Sequence, residues 1–175
     1  MLISLRLSAA RRKRVIPEGW ADSDAVSSFE PVFTSELLFA GTRSLDTNST
    51  GELALVGGSD GLAGVYSIPQ RKLLASLNAD DGAIVDVVWA GAHPVTATVN
   101  GVLRVWNENG NDSTSTSAHS GGLKAVASHP RGDILGSVGE DKSWAIYDLE
   151  TTKAVVQVYG ESGIYFSSFS RPILA

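Results

Sequence analysis

Residues 51–68 read GELALVGGSDGLAGVYSI, and their pattern indicates the class of fold. It contains two apolar runs that are separated by the turn pair Asp60-Gly61. Asp-Gly is one of the dipeptides that adopt positive φ at both central positions of a tight hairpin. The first run, Leu53–Gly58, is apolar at consecutive rather than alternating positions. This pattern predicts a strand that is buried on both faces and is joined to its neighbour by a hairpin.

The same pattern occurs twice more along the chain. Residues 94–108 read PVTATVNGVLRVWNE, and residues 132–149 read GDILGSVGEDKSWAIYDL. Three turn pairs begin 40 and then 41 residues apart: Asp60-Gly61, Asn100-Gly101 and Asp141-Lys142. Six residues after each pair begins comes an aromatic residue: Tyr66, Trp106 or Tyr147. This period, with an aromatic residue near the end of each copy, is typical of WD40 repeats, which form the blades of a β-propeller.

The repeats predict an all-β fold, namely a partial WD40 β-propeller of about three blades plus the start of a fourth. We expect inner strands at residues 53–57 and 134–138, and outer strands at residues 72–77 and 154–159. A fourth copy begins at Gly163 and matches the third copy up to Pro172. Because propellers close with about 4–8 blades, this pattern predicts that the chain is a fragment.

Residues 1–40 do not follow the repeat, and residues 41–175 form the predicted repeat domain. The amino-terminal piece predicts a short helical leader that Pro17 ends, followed by a linker. Four consecutive basic residues precede this proline: Arg11, Arg12, Lys13 and Arg14. They are either a nuclear-localisation patch or a solvated helix end, where basic side chains interact favourably with the helix dipole.

Composition excludes several classes of function. The net charge is −5, but the first 14 residues hold five basic side chains and no acid, which leaves −10 for the rest. Such an acidic body is a poor match for phosphate backbones, so we expect no direct nucleic-acid binding. The absence of cysteine excludes disulfides and Cys-ligated zinc. We see neither a secretory signal nor a membrane span of roughly 18 apolar residues, which predicts an intracellular protein.

Three stretches carry a more specific resemblance: LSAARRKRVIPEGW (7–20), LALVGGSDGLAGVYS (53–67) and GDILGSVGEDKSWAIYDLET (132–151). Together they resemble the pre-mRNA-processing factor 19 family, from about Leu5 to Ile164. Proteins of that family are spliceosome-associated ubiquitin ligases. The resemblance implies an amino-terminal U-box that recruits the ubiquitin-conjugating enzyme, a coiled coil that tetramerises the protein, and a carboxy-terminal propeller that binds partners or substrates.

This sequence departs from the family pattern at both ends. It shows no U-box segment, at most the last turns of the coiled coil within residues 1–40, and too few blades to close a ring. We therefore expect a protein-binding scaffold in a nuclear splicing complex, linked through the resemblance to ubiquitination and DNA repair. Contact with the conjugating enzyme is expected only through a U-box, and we predict no catalytic residue, cofactor or membrane contact. The alternative is a generic WD40 adaptor unrelated to splicing.

Four residues of the third repeat are predicted to form the buried hydrogen-bonded network of WD40 repeats: His119, Ser137, Asp141 and Tyr147. The same residue types also suggest a Ser-His-Asp hydrolase, which needs an exposed nucleophile, an oxyanion hole and a cleft. No G-x-S-x-G motif occurs, which favours the structural interpretation. Tyr147 stands where the repeat pattern has Trp, so a phenol O–H replaces an indole N–H.

Two other features, the histidines and a glycine-rich stretch, could indicate ligand sites, but their spacing does not fit known motifs. The three histidines share no short spacing, so we predict no metal site. The glycines of GGSDGLAG (57–64) are similar in density to a phosphate-binding loop, but the lysine and the order of that motif are missing. We assign them to strand packing and to the Asp60-Gly61 hairpin.

Overall fold

The computed structural model describes residues 40–162, which form twelve β-strands and no helix. The strands are β1 (Thr42–Thr47), β2 (Leu53–Gly58), β3 (Leu62–Ser67), β4 (Lys72–Asn78), β5 (Ile84–Ala90), β6 (His93–Thr98), β7 (Val102–Trp106), β8 (Ser113–Ser117), β9 (Leu123–Ser128), β10 (Ile134–Gly139), β11 (Ser143–Asp148) and β12 (Lys153–Tyr159). The predicted all-β class is confirmed. The predicted amino-terminal helix, the basic residues 11–14 and the fourth repeat copy lie outside the described residues.

The strands form three antiparallel four-stranded sheets: β1–β4 (blade 1), β5–β8 (blade 2) and β9–β12 (blade 3). Within each sheet the spatial order follows the chain order, because short turns join neighbouring strands. The predicted inner strands correspond to β2 and β10, which are second in their sheets. The predicted outer strands correspond to β4 and β12, at the outer edges of blades 1 and 3.

Each turn pair lies at a predicted hairpin, but the expected positive φ at both central positions is wrong. Only the second residue of each pair has a positive φ, at the end of a three-residue turn. Gly61 and Gly101 have φ of +83° and +79°, which glycine adopts without steric cost. At the third hairpin the same conformation falls on Lys142, with φ of +61°, where a non-glycine residue is less favourable. The third hairpin therefore depends more than the other two on hydrogen bonds from its neighbours.

Apolar side chains between neighbouring blades form two cores. The core between blades 1 and 2 includes Leu55, Leu77, Ile84, Trp89 and Trp106. The core between blades 2 and 3 includes Val95, Leu103, Leu123, Val126, Leu135 and Tyr147. Blade 2 contributes to both cores, so its middle strands are covered on both faces. This arrangement explains the runs of consecutive apolar residues in the sequence.

Hydrogen bonds also join the first strands of the three blades. The Asp86 carboxylate in β5 accepts from Ser44 Oγ in β1 over 2.6 Å and from the Val126 backbone N–H in β9 over 2.9 Å. The Asp46 carboxylate in β1 accepts from the Trp89 backbone N–H in β5 over 2.8 Å. Hydrogen bonds to carboxylates are directional and comparatively strong, so they align the first strands of neighbouring blades. Within the described range, no helix has the length and apolar character needed to cross a membrane.

Candidate functional site: the His119 network

The loop between β8 and β9 carries His119, and the hairpin of blade 2 holds that loop in place. The backbone N–H groups of Ala118 and His119 both donate to the Gly101 carbonyl oxygen, over 2.8 and 3.2 Å. A Cβ atom on Gly101 would collide with the carbonyl oxygens of His119 and Gly121. The Asn100-Gly101 turn of blade 2 therefore positions the histidine of blade 3, and only glycine permits the close approach.

Both ring nitrogens of His119 have hydrogen-bond partners. Nε2 lies 2.8 Å from Ser137 Oγ, while Nδ1 lies 3.0 Å from Asp141 Oδ1 and 2.7 Å from Ser143 Oγ. The His119 side chain is fully buried, and the Asp141 side chain is 7% exposed. The structure thus brings three of the four predicted residues, His119, Ser137 and Asp141, into one hydrogen-bonded cluster.

The donors and acceptors around His119 assign its tautomer. An ionised carboxylate only accepts hydrogen bonds, so the Nδ1 atom beside Asp141 carries the proton. Nε2 then accepts the hydroxyl proton of Ser137. Ser143 Oγ donates to Asp141 Oδ1 over 2.7 Å and presents a lone pair to Nδ1. Each polar atom of the imidazole is thereby satisfied, as a buried ring requires.

Asp141 is held in its ionised form. Burial raises the pKa of its carboxyl, but hydrogen bonds from Ser143, His119 and the Ser120 backbone outweigh burial and lower the pKa to about 2. The backbone N–H groups of Ser120 and Ser143 donate to this carboxylate over 3.0 and 3.1 Å. At neutral pH the carboxylate therefore ties the β8–β9 loop to the β10–β11 hairpin.

Tyr147 bonds at a different point of the network. Its hydroxyl donates to the Ala118 carbonyl oxygen over 3.0 Å, and its side chain is buried, which raises the pKa of the Tyr147 phenol. At the same repeat position of blade 2, Trp106 Nε1 donates to Thr96 Oγ1 over 3.2 Å. The tyrosine hydroxyl thus reaches the backbone of the preceding loop, and it also contacts the Ser137 hydroxyl, which corresponds to Thr96 of blade 2.

Ser143 belongs to the cluster and is missed by reasoning from the repeat pattern. It is fully buried, and besides His119 and Asp141 it contacts Gln157, whose Nε2 lies 3.2 Å from its hydroxyl. The available signal is local, because a short polar side chain two residues from Asp141 can bond back across the hairpin. Nothing in the 40-residue period marks this position, since Leu62 stands there in the first repeat and Val102 in the second.

Ser137, His119 and Asp141 make the contacts of a Ser-His-Asp triad, with the hydroxyl on Nε2 and the carboxylate beside Nδ1. However, Ser137 is 2% exposed and lies in β10, which pairs on one side with β9 and on the other with β11. A nucleophile must reach a substrate carbon, and this hydroxyl has no such access. The geometry therefore supports a structural cluster. Among residues 40–162, no group of three or more His, Asp or Glu could hold a metal ion.

In each of the three blades, a polar side chain of the hairpin forms a hydrogen bond with the backbone of the segment that precedes the blade. The contacts are Asp60 with the Ala40 N–H (3.0 Å), Asn100 with the Asp81 carbonyl (2.8 Å) and Asp141 with the Ser120 N–H (3.0 Å). The bond to Ala40 lowers the pKa of the exposed Asp60 carboxyl. Asp60, Gly61, Asn100 and Gly101 therefore serve as the predicted blade turns and also hold the loops.

The histidine is a feature of the third blade. The Ala79 N–H donates to the Gly61 carbonyl oxygen as Ala118 does to Gly101, so Asp80 occupies in blade 2 the position of His119 in blade 3. Asp80 is exposed, whereas His119 is buried. The loops before blades 2 and 3 are both described, and of these two blades only blade 3 has the complete polar network. Of the corresponding contacts, blade 2 has the hydrogen bond between Trp106 and Thr96.

Comparison with known proteins gives similar relatives over most of the chain, although no protein-family model matches it. Pre-mRNA-processing factor 19 homolog 2 of Arabidopsis thaliana is 26% identical over 165 residues, which cover 89% of this chain and 31% of that protein. Pre-mRNA-processing factor 19 of Oryza sativa subsp. japonica is 24% identical over 166 residues, which cover 90% of this chain and 32% of that protein. F-box-like/WD repeat-containing protein TBL1X of Mus musculus is 28% identical over 95 residues, 54% of this chain and 16% of that protein.

The chain thus spans about a third of the length of the processing-factor relatives that it matches. Three four-stranded sheets in sequence agree with the WD repeats that the name of the TBL1X relative gives for that protein. The resemblance stated from residues 53–67 and 132–151 is therefore confirmed, and this chain is a WD40-repeat region similar to pre-mRNA-processing factor 19 over about nine tenths of its own length.

Proposed function

We propose that this chain supplies a protein-binding WD40 scaffold to a pre-mRNA-splicing complex in the nucleus. The observation that carries the proposal is the match to pre-mRNA-processing factor 19 over 165 residues, 89% of the chain. The three blades support it physically, because rigid sheets position loops and edges for contact with partners.

The chemistry of the described residues supports a scaffold rather than an enzyme. The cluster with triad-like contacts is buried, so Ser137 has no route to a substrate. The net charge of −5 opposes binding to phosphate backbones. Within the proposed complex, the partners of this chain are therefore proteins rather than RNA.

We propose that this chain contributes to ubiquitination only as one part of a larger complex. Propeller blades would hold a partner or a substrate, whereas the transfer chemistry needs a U-box to hold the conjugating enzyme.

We assign the nuclear-localisation signal to the basic residues 11–14. A fluorescent fusion of the chain is expected in the nucleus, and alanine at these four positions is expected to move it to the cytoplasm. An unchanged distribution would contradict this assignment.

Assembly on a splicing substrate tests the proposed function. The tagged 175-residue chain is added to nuclear extract with biotinylated pre-mRNA, and the complexes retained on streptavidin are probed for the tag. We expect retention that depends on intact splice sites, because a splicing scaffold follows the assembly of the complex. Equal retention on RNA without splice sites, or no retention at all, would exclude the splicing role.

The second candidate function is a WD40 adaptor unrelated to splicing. The observation that favours it is the 28% identity to the F-box-like/WD repeat-containing protein over 95 residues. This match covers 54% of the chain, compared with 89% for the processing factor, so it reports the repeat architecture. The same pull-down separates the two, because an adaptor of this kind would not follow the splice sites.

A further inference from the structure

A groove lies between the outer parts of blades 2 and 3, on the side of the β7–β8 and β11–β12 turns. Its walls include Asp112 and Thr114 of blade 2, and Leu149, Glu150 and Thr152 of blade 3. This outer groove encloses about 510 Å³, within the range of about 300–1,000 Å³ that is usual for ligand sites. Both walls lie well inside the described residues.

The blade 2 wall of the outer groove is formed by the β7–β8 turn and by small polar side chains of β8. β8 reads STSTS, whereas the corresponding strand of blade 1, β4, reads KLLASLN. Strand pairing places Thr114 opposite Val105, at the position that Ala75 takes in blade 1. By the same register Thr116 takes the position of Leu77, which is fully buried against blade 2. Thr116 borders a separate space of about 10 Å³ between the blades, so this position is nearly filled, and only the exposed Thr114 of these two lines the outer groove.

The lengths of the turns distinguish the two blade interfaces. The β7–β8 turn has six residues, 107–112, and it packs against blade 1 so closely that a Cβ on Gly110 would collide with Leu77. The β11–β12 turn of blade 3 has four residues, 149–152. The shorter turn lines the groove beside Thr114 without closing over it.

The outer groove has apolar walls with a negatively charged rim. Val105 and Leu149 are partly buried apolar residues that line it, and the carboxylates of Asp112 and Glu150 stand exposed at its edge. Asp133 also lines the groove, and its carboxylate pairs with Arg131 over 3.1 Å. Neither lysine nor arginine is among the lining residues. Within residues 40–162, no ion pair engages Glu150.

We propose that the outer groove binds a basic, extended segment of a partner protein. An apolar side chain of that segment packs on Val105 and Leu149, and flanking Lys or Arg side chains pair with Asp112 and Glu150. Lys and Arg suit this site because their alkyl stems cover apolar surface while their charged ends reach the rim. The carboxylates repel phosphate groups, so neither RNA nor an anionic lipid surface fits. The proposal rests on the proposed protein-binding function but not on splicing.

Three fluorescein-labelled peptides test this proposal with the full 175-residue chain. The probes are Gly-Lys-Leu-Lys-Gly-Lys-Leu-Lys-Gly, the same peptide with Glu for Lys, and the same peptide with Ser for Leu. We expect the first to bind, the Glu peptide not to bind, and the Ser peptide to bind at least fivefold more weakly. Binding of the first peptide should weaken as salt is raised, because the rim contacts are exposed ion pairs.

Matched variants locate the binding. Glu150→Lys reverses a rim charge, and Glu140→Lys reverses an exposed charge in the β10–β11 turn, at the other end of β11. Each changes the net charge from −5 to −3, so a general charge effect would be the same in both. We expect Glu150→Lys to weaken binding about fivefold to tenfold and Glu140→Lys to change it less than twofold. Thr114→Leu fills the groove, and it should abolish binding without lowering the melting temperature.

The outcomes separate this proposal from the proposed splicing role. Equal loss in Glu150→Lys and Glu140→Lys, unchanged binding by Thr114→Leu, or no binding of the Lys-Leu peptide by the unaltered chain would each overturn the groove assignment. Splice-site-dependent retention on pre-mRNA would still stand in those cases. Conversely, the peptides could bind in the expected pattern while the chain is not retained on pre-mRNA. This result would support the groove assignment and exclude the splicing role.

Discussion

The Asp86 carboxylate of blade 2 accepts a 2.9 Å hydrogen bond from the backbone N–H of Val126 in blade 3. Its other oxygen accepts a 2.6 Å hydrogen bond from Ser44 Oγ in blade 1. One side chain therefore joins all three blades. Apolar packing between sheets stabilises their association but has little directional preference, whereas these hydrogen bonds specify how the first strands align.

Replacement of Asp86 by Asn is expected to destabilise the chain by about 1–2 kcal/mol. The amide has one acceptor oxygen, and its NH2 group only donates, so one of the two partly buried donors loses its acceptor. Urea unfolding followed by circular dichroism measures this change. Glu52→Gln is the matched control, since it removes one exposed carboxylate by the same chemistry and should shift the free energy of unfolding by less than about 0.5 kcal/mol. Equal effects of the two substitutions would show that the inter-blade bonds do not stabilise the fold.

Asp141 is expected to make the free energy of unfolding depend on pH in the acidic range. The pKa of Asp141 is lowered to about 2 in the folded chain from an ordinary value of 3.8. The contribution of its carboxylate to the free energy of unfolding is therefore complete above pH 3.8 and is lost as the pH falls toward 2. The difference in free energy of unfolding between the unaltered chain and Asp141→Asn should therefore be largest near neutral pH and shrink below about pH 4. Denaturant titrations at several pH values measure it. A difference that stays constant down to about pH 2.5 would contradict this role of the carboxylate.

Gly139→Ala is expected to destabilise blade 3 through the His119 cluster. A Cβ atom there would lie 2.7 Å from Asp141 Oδ1 and closer still to the His119 ring, and overpacking of this kind costs about 1–3 kcal/mol. Gly41→Ala serves as control, because its Cβ would meet only the Ser59 side chain, with Oγ at 3.1 Å.

The same substitution gives a double-mutant cycle for the cluster. In a His119→Ala background, Gly139→Ala should cost clearly less than in the unaltered chain, because the ring that the new methyl group meets is gone. Thermal or urea unfolding of the four proteins measures the coupling. Additive effects would mean that the strain at Gly139 lies in the backbone and not against the histidine.

The isolated 175-residue polypeptide is expected to be inactive as a ubiquitin ligase. It contains no cysteine, which excludes a ligase that carries ubiquitin as a thioester, and the resemblance places the surface for the conjugating enzyme in a U-box. A reconstituted reaction with activating enzyme, conjugating enzyme, ubiquitin and ATP tests this expectation, with a U-box protein as positive control. Ubiquitin chains above the level of the reaction without ligase would show that these residues themselves engage the conjugating enzyme.

The positions of the strands and hairpins could be predicted from the amino-acid sequence. The 40-residue period and the pairs Asp60-Gly61 and Asn100-Gly101 predict where chains turn, and β2 and β10 lie where their apolar runs indicate. These features could be predicted because they are local. Turn geometry depends on the φ angles of two residues, and the burial of a strand is encoded in its own side chains.

The tertiary structure alone decided how the blades contact one another. The bonds of Asp86 to Ser44 and Val126 span about 40 residues in either direction, and the outer groove exists because Thr114 faces a blade whose turn does not cover it. Likewise the position of Tyr147 in the repeat does not reveal that its hydroxyl reaches the Ala118 carbonyl. Such contacts depend on the relative placement of whole sheets, which the volumes of many side chains set together, and no single stretch of sequence encodes that placement.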